Sequence, residues 1–294
     1  MISLLTTGGT IACTTDDNGA LIPTVTGERL AAAAGVSAEV EITDLIHLDS
    51  SSVTLKELDQ LVAQVHAELA REDTHAVVIT HGTDSLEDTA AVLDLMHPDE
   101  RAGVILTGAQ RAFDRPDSDG PTNLADAVAA ARTHTGVLVA FGGELLPARG
   151  LRKAHTDDTT AFASNPAGTP PRRLPRTQLD GLDVPIVAAY PGADARIVEA
   201  TARGADGLVI QALGAGNMPV EFGRAVAGVL ERGVPVVVAT RVPFGQVRLA
   251  YGGDGGGATL ARLGAVGAGG LSAGQARMAL LVALASGIDV AELL

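Results

Sequence analysis

Met1-Ile-Ser-Leu-Leu-Thr-Thr-Gly-Gly-Thr-Ile-Ala12 opens the chain, and its reading decides the fold. Ile2 to Leu5 is a short apolar run, the pattern of a strand buried on both faces in a parallel sheet. It runs straight into Thr6-Thr7-Gly8-Gly9-Thr10. Paired glycines let the backbone turn sharply and approach a ligand closely. Thr10 is therefore expected in a loop at the carboxyl end of a central strand, where open α/β sheets bind their ligands. Alternatively, the segment is a plain strand-to-helix turn whose threonines cap a helix.

The pattern recurs along the chain. Residues 39–48 read as a strand ending in Asp49-Ser50-Ser51-Ser52. Thr54-Leu-Lys-Glu57 has the form of a capping box, and Leu55, Leu58, Leu61, Val62, Val65 and Leu69 follow at helical spacing. Strands are predicted at 76–80, 103–107 and 136–141, with helices from Ser85 to about Met96 and from Asp119 onward. Strands alternating with helices imply a parallel sheet with right-handed crossovers. Residues 14–19 read as a polar, mobile loop. Between Asn165 and Pro185 the prolines 166, 170, 171, 175 and 185 suit an extended linker. The pattern then restarts, with strands at 184–189, 207–213 and 234–240 and helices near 194–204, 220–232 and 272–286. The expected fold is α/β: a larger N-terminal parallel-sheet domain (1–164), a linker (165–184) and a smaller C-terminal α/β domain (185–294). Gly252-Gly-Asp-Gly-Gly-Gly257 reads as a flexible loop without the spacing of a nucleotide-binding motif.

Composition narrows the chemistry. The 294 residues are 46% hydrophobic and 2% aromatic, so the core is aliphatic and few platforms exist for stacking bases or sugars. A net charge of −14 opposes nucleic acid and anionic membrane surfaces. The single cysteine, Cys13, excludes an internal disulfide framework and a cysteine-based zinc site. No leader-like start and no apolar run near the ~20 residues of a membrane span are present, so a soluble, cytoplasmic protein is expected.

Strand-end segments deliver hydroxyls at Thr10, Ser50 to Ser52 and Thr83, with Asp84 adjoining Thr83. Singly, each suits a helix cap. Together they make an acyl-transfer set: a hydroxyl nucleophile, a proton acceptor, and glycine-flanked backbone N–H groups for an oxyanion. No Gly-x-Ser-x-Gly elbow is present. Lysine occurs only at 56 and 153 in a chain that otherwise uses arginine. Lys56 suits a solvated first turn of a helix. Lys153 is either a surface residue or a group able to lose its proton and activate a hydroxyl near Thr83 and Asp84.

Thr7-Gly-Gly-Thr-Ile-Ala12 and Thr80-His-Gly-Thr-Asp-Ser85 resemble the two signature motifs of the bacterial-type L-asparaginases. Asp49-Ser50-Ser51, Gly108-Ala-Gln-Arg111, Asp119-Gly-Pro-Thr-Asn-Leu124, Lys153 and Gly214-Ala-Gly-Asn217 follow in that family's order. The resemblance implies hydrolysis of the side-chain amide of L-asparagine to aspartate and ammonia, without a metal or organic cofactor. It implies a homodimer or homotetramer with sites between the N-domain of one chain and the C-domain of another. By motif, Thr10 corresponds to the nucleophile, and Thr83, Asp84 and Lys153 to a second triad. Ser50 and Ser51 correspond to the hold on the α-carboxylate, and Asp84 and Asn217 to that on the α-ammonium. Gly9 and Ala109 complete the substrate-binding set.

Two departures stand out. Residues 13–24 hold no tyrosine, which the family usually offers as a base for its first threonine; the only tyrosines are Tyr190 and Tyr251. Lys153, water or Tyr251 remain to take that role. Secondly, Arg241-Val-Pro243 is followed by Phe244-Gly-Gln-Val-Arg-Leu-Ala-Tyr251, with no acid before Asp254. Some family members carry a glutamate there, so the preference between asparagine and glutamine stays open. Other readings are an amino-acid-binding member with weak or no turnover, a glutaminase-type amidohydrolase, and an amidotransferase relative serving tRNA, which the negative charge opposes.

Overall fold

A computed structural model describes residues 1–98, 101–165, 167–168 and 172–294. The chain forms two compact units: Met1–Ser164 with Arg173–Arg176, and Asn165–Arg172 with Thr177–Leu294. Prolines 166, 170 and 171 of the expected linker lie outside the described residues.

In the first unit, β1 (Ile2–Gly8) leads through a short hairpin, β2 (Cys13–Thr15) and β3 (Leu21–Pro23), to α1 (Gly27–Ala33). Then come β4 (Val40–Leu48), α2 (Leu55–Leu69), β5 (Ala76–Thr80), α3 (Leu86–Leu95), β6 (Gly103–Thr107), α4 (Gly120–Ala131) and β7 (Gly136–Phe141). The unit closes with β8 (Glu144–Pro147), β9 (Leu151–Lys153) and β10 (Phe162–Ser164). The main sheet has the order β4-β1-β5-β6-β7-β8, parallel up to β7, with β8 antiparallel to it. Every residue of β1, β5 and β6 is buried, as their continuous apolar runs require of central parallel strands. Side chains alternate between faces. Ile2, Leu4, Ala76, Val78 and Ile105 accordingly share one core with Leu30 of α1 and Leu124, Ala127 and Val128 of α4. The predicted capping box is present on α2, where the Thr54 N–H donates to the Glu57 carboxylate (3.1 Å).

Residues 14–19, read from sequence as a polar loop, belong instead to the β2–β3 hairpin. The Asp16 carboxylate accepts hydrogen bonds from the Asn18 and Ala20 N–H groups and so closes the turn. Asp114 holds the hairpin from outside by accepting from the Thr15 N–H at 2.8 Å.

In the second unit the order is β11 (Ile186–Ala188), α5 (Ala195–Thr201), β12 (Leu208–Ala212), α6 (Val220–Glu231), β13 (Val236–Thr240), α7 (Gly257–Arg262), β14 (Val266–Gly267) and α8 (Ala273–Ser286). The strands form a parallel sheet in the order β11-β12-β13-β14. Phe222 and Val226 of α6 pack with Val198 of α5 on Leu208, Ile210 and Val238 of the sheet. The glycine run at 252–257 leads into α7 and is tied to the start of α6, since the Gly255 carbonyl accepts from the Met218 N–H at 3.0 Å. Among the described residues, no helix is long and apolar enough to cross a membrane.

Candidate active site

Register brings the site loops together. Thr6, Thr80 and Thr107 pair in one row across β1, β5 and β6, so the loops that follow these strands leave from the same edge of the sheet. Gly9 has φ +79° and ψ 178°, a conformation essentially reserved for glycine. A Cβ there would lie 2.3 Å from the Gly82 Cα, so the loops carrying Thr10 and Thr83 meet backbone to backbone. Thr10 then opens a single 3-10 turn, Thr10–Ala12, anchored by the buried Ile11 and Ala12. Its side chain is half-exposed, and its hydroxyl makes no hydrogen bond among the described residues.

Beside it, Ser50 begins a 3-10 turn after β4 and is buried. The Asp84 N–H donates to its hydroxyl at 3.2 Å, while the Ser85 hydroxyl donates to its carbonyl at 2.8 Å. Ser51, the next residue, is exposed. The Ser50 and Asp84 loops are thus locked to one another.

Lys153 ends β9 and aims inward. Its Nζ donates to Thr83 Oγ1 at 2.8 Å and to Asp84 Oδ1 at 2.7 Å, and its side chain is only 21% exposed. Glu87, in the first turn of α3, accepts from the Lys153 backbone N–H at 2.6 Å and fixes the strand end that presents the ammonium. The Lys153 side chain is thus partly buried and bonded to Thr83 and Asp84. The Thr83 hydroxyl in turn donates to Gln110 Oε1 at 3.3 Å.

The loop after β6 carries Ala109, which is fully buried. Asp119 accepts from the Gln110 and Arg111 N–H groups (3.1 and 2.9 Å). Asn123, 2% exposed, donates to the Gly108 carbonyl at 3.0 Å and accepts from the Gly142 N–H at 3.1 Å. The Asp119-to-Asn123 run is thus the brace of this loop, a role that its motif does not reveal in sequence. His81 lies inside the second threonine motif, and sequence reasoning assigns it nothing. It is buried, its Nδ1 donates to the Gly82 carbonyl (2.8 Å) and its Nε2 accepts from the Thr89 hydroxyl (3.1 Å). Burial holds its pKa below 6.5, so it braces the Thr83 loop as a neutral ring.

The Cys13 thiol, which donates to the Gly9 carbonyl at 3.3 Å, is pushed up in pKa by burial and then by Asp49 and Asp114. No group of His, Cys, Asp or Glu side chains is arranged to hold a metal ion among the described residues.

Residues 1–174 match the family model for the asparaginase N-terminal region, and residues 183–293 match that for the glutaminase/asparaginase C-terminal domain. The chain belongs to the asparaginase family. This asparaginase-family chain is 37% identical to a probable L-asparaginase of Deinococcus radiodurans, over 96% of its own length and 92% of the relative's. It is also 30% identical to a glutamyl-tRNA(Gln) amidotransferase component of Pyrococcus abyssi, over 84% of its length and 64% of that protein's. In structure it resembles the thermostable L-asparaginase of Thermococcus kodakarensis, with a TM-score of 0.85, 26% identity and coverage of 99% and 95% of the two chains. Asn217 lies in this chain's second unit, in a tight loop after β12 where its backbone pairs with Leu213. Tyr190 and Tyr251 are also in that unit, both exposed.

Proposed function

We propose that this asparaginase-family chain is an L-asparaginase that converts L-asparagine to L-aspartate and ammonia. The observation that carries the reading is the bonding of Lys153 Nζ to both Thr83 Oγ1 and Asp84 Oδ1, on a loop in backbone contact with that of Thr10. Thr10 Oγ attacks the amide carbon, and the proton it gives up is delivered to the amide nitrogen that will leave. The tetrahedral intermediate is held by loop N–H groups and collapses with loss of ammonia. Water then cleaves the resulting ester, restoring Thr10 and leaving the aspartate carboxylate. Thr83, held by Lys153, positions the attacking oxygen by accepting its hydrogen bond.

The substrate's α-ammonium meets the Asp84 carboxylate, a charge-assisted contact. Ser50 and Ser51 take the α-carboxylate, with Gly9 and Ala109 lining the amide end and Asn217 adding a further polar contact. The assembly is a homodimer or homotetramer, and no cofactor enters the reaction.

A second reading is an amino-acid-binding member without turnover. A Thr10 hydroxyl without a hydrogen bond among the described residues, and the absence of tyrosine from residues 13–24, favour it. Ammonia release from L-asparagine, D-asparagine and L-glutamine separates these readings. L-Asparagine is expected to be the best substrate. Thr10→Ala and Lys153→Met are each expected to remove at least about 10³-fold of kcat, as deletion of a nucleophile or its activating partner does. Near-normal release by Thr10→Ala refutes the assigned nucleophile; tight L-asparagine binding without ammonia supports the binding reading.

A further inference from the structure

The resemblance assigns a role to Ala109 but none to its neighbour Gln110, and the hydrogen-bond polarity around Thr83 supplies one. Lys153 Nζ donates to Thr83 Oγ1 at 2.8 Å, so Thr83 is the acceptor in that bond. A hydroxyl has one proton. The proton of Thr83 is directed at Gln110 Oε1, 3.3 Å away. The orientation of the Gln110 amide follows from its other end, where Nε2 faces the His155 carbonyl at 3.5 Å. A carbonyl can only accept, so the NH₂ must face His155 and the oxygen must face Thr83.

The glutamine's backbone is not free to drift. Asp119 accepts from the N–H groups of Gln110 and Arg111, and Asn123 ties Asp119 to the Gly108 carbonyl. Gly108 itself lies against the Thr83 loop, since a Cβ there would stand 2.4 Å from the His81 carbonyl oxygen and 3.5 Å from Thr83 Cγ2.

We infer that Gln110 is a positioning residue that fixes Thr83 as a hydrogen-bond acceptor toward the reacting hydroxyl or water. With one lone pair on Lys153 and its proton on Gln110, Thr83 Oγ1 has only a lone pair left to offer. Without Gln110 the proton is released to point at the substrate or the nucleophile, and the acceptor is lost. The inference rests on the amidohydrolase reading above and adds to it a side chain that orients the triad without touching substrate.

The test compares wild type, Gln110→Met and Gln110→Glu in ammonia release from L-asparagine, with a thermal melt of each. Methionine keeps the length of the side chain and removes the acceptor; glutamate keeps an acceptor. Gln110→Met should lose about tenfold in kcat with KM and melting temperature nearly unchanged, while Gln110→Glu stays within about threefold of wild type. A Gln110→Met kcat within about twofold of wild type overturns the inference alone, as does an equal fall in both variants accompanied by lowered melting temperatures. A wild-type protein that releases no ammonia overturns the amidohydrolase reading and this inference together.

Discussion

Gly9→Ala tests the contact on which the site depends. An added Cβ would stand 2.3 Å from Gly82 Cα and 2.5 Å from Gly82 N. Ordinary van der Waals contact begins near 3.4 Å, so the two loops must part by about 1 Å. Neither obstructing atom belongs to a flexible side chain. Misplacing a reacting group by that distance costs on the order of 10²-fold in rate. The backbone conformation at Gly9 adds roughly 1–3 kcal/mol of strain for any residue with a Cβ.

Gly35→Ala separates the two effects. Gly35 has φ +71° with nothing within 4 Å of an added Cβ, so that variant carries strain without collision and should lose about 1 kcal/mol of stability. Saturating ammonia-release assays and thermal melts of both variants decide the matter. The expected pattern is destabilisation in both and a kcat loss near 10²-fold in Gly9→Ala alone. A Gly9→Ala kcat within about threefold of wild type would refute the claim that backbone contact sets the distance between Thr10 and Thr83.

Asn123→Leu removes the partners of the Gly108 carbonyl and the Gly142 N–H; at about 1–3 kcal/mol for each buried group left unpaired, urea unfolding should show a clear loss of stability. His66 and His81 are both held below 6.5, first of all by burial. The unfolded chain therefore binds more protons as pH falls through 6.5, and folded-state stability should decline as the pH is lowered below 6.5; denaturant midpoints that rise on acidification would contradict this. Asp114→Ala removes the acceptor for the Thr15 N–H, and amides of residues 13–23 should exchange faster than wild type while those of β5 remain protected. Light scattering of the purified protein should give a dimer or a tetramer, and a monomer at assay concentration would refute the proposed assembly.

The long central elements are legible in sequence because their code is local. Val77, Val78 and Ile79 announce a buried strand, and Thr54 with Glu57 announces the start of α2. The hairpin at 13–23 is not legible: its strands are three residues each, and its stability comes from Asp16 and the distant Asp114 rather than from apolar alternation. The helix at 27–33 escapes sequence reasoning for a related reason, being short and alanine-rich with few buried positions to set a period. Strand order is likewise not a local property. That Lys153 belongs with Thr83 and Asp84 follows from the resemblance; no pattern near residue 153 specifies a partner 70 positions away. Gln110 carries no signal, because an amide between two motif residues looks the same whether it faces solvent or a hydroxyl.

The row Thr6–Thr80–Thr107 also constrains when the protein can become active during synthesis. A parallel neighbour cannot be reached by a tight turn, so each strand of this row must wait for an intervening crossover to be made and docked. Lys153 is the last N-terminal-unit member of the proposed catalytic set to be added. A growing chain shorter than this has Thr10, Thr83 and Asp84 but not the lysine that joins the last two, so amide cleavage by the proposed set is withheld until more than half the polypeptide has been synthesised.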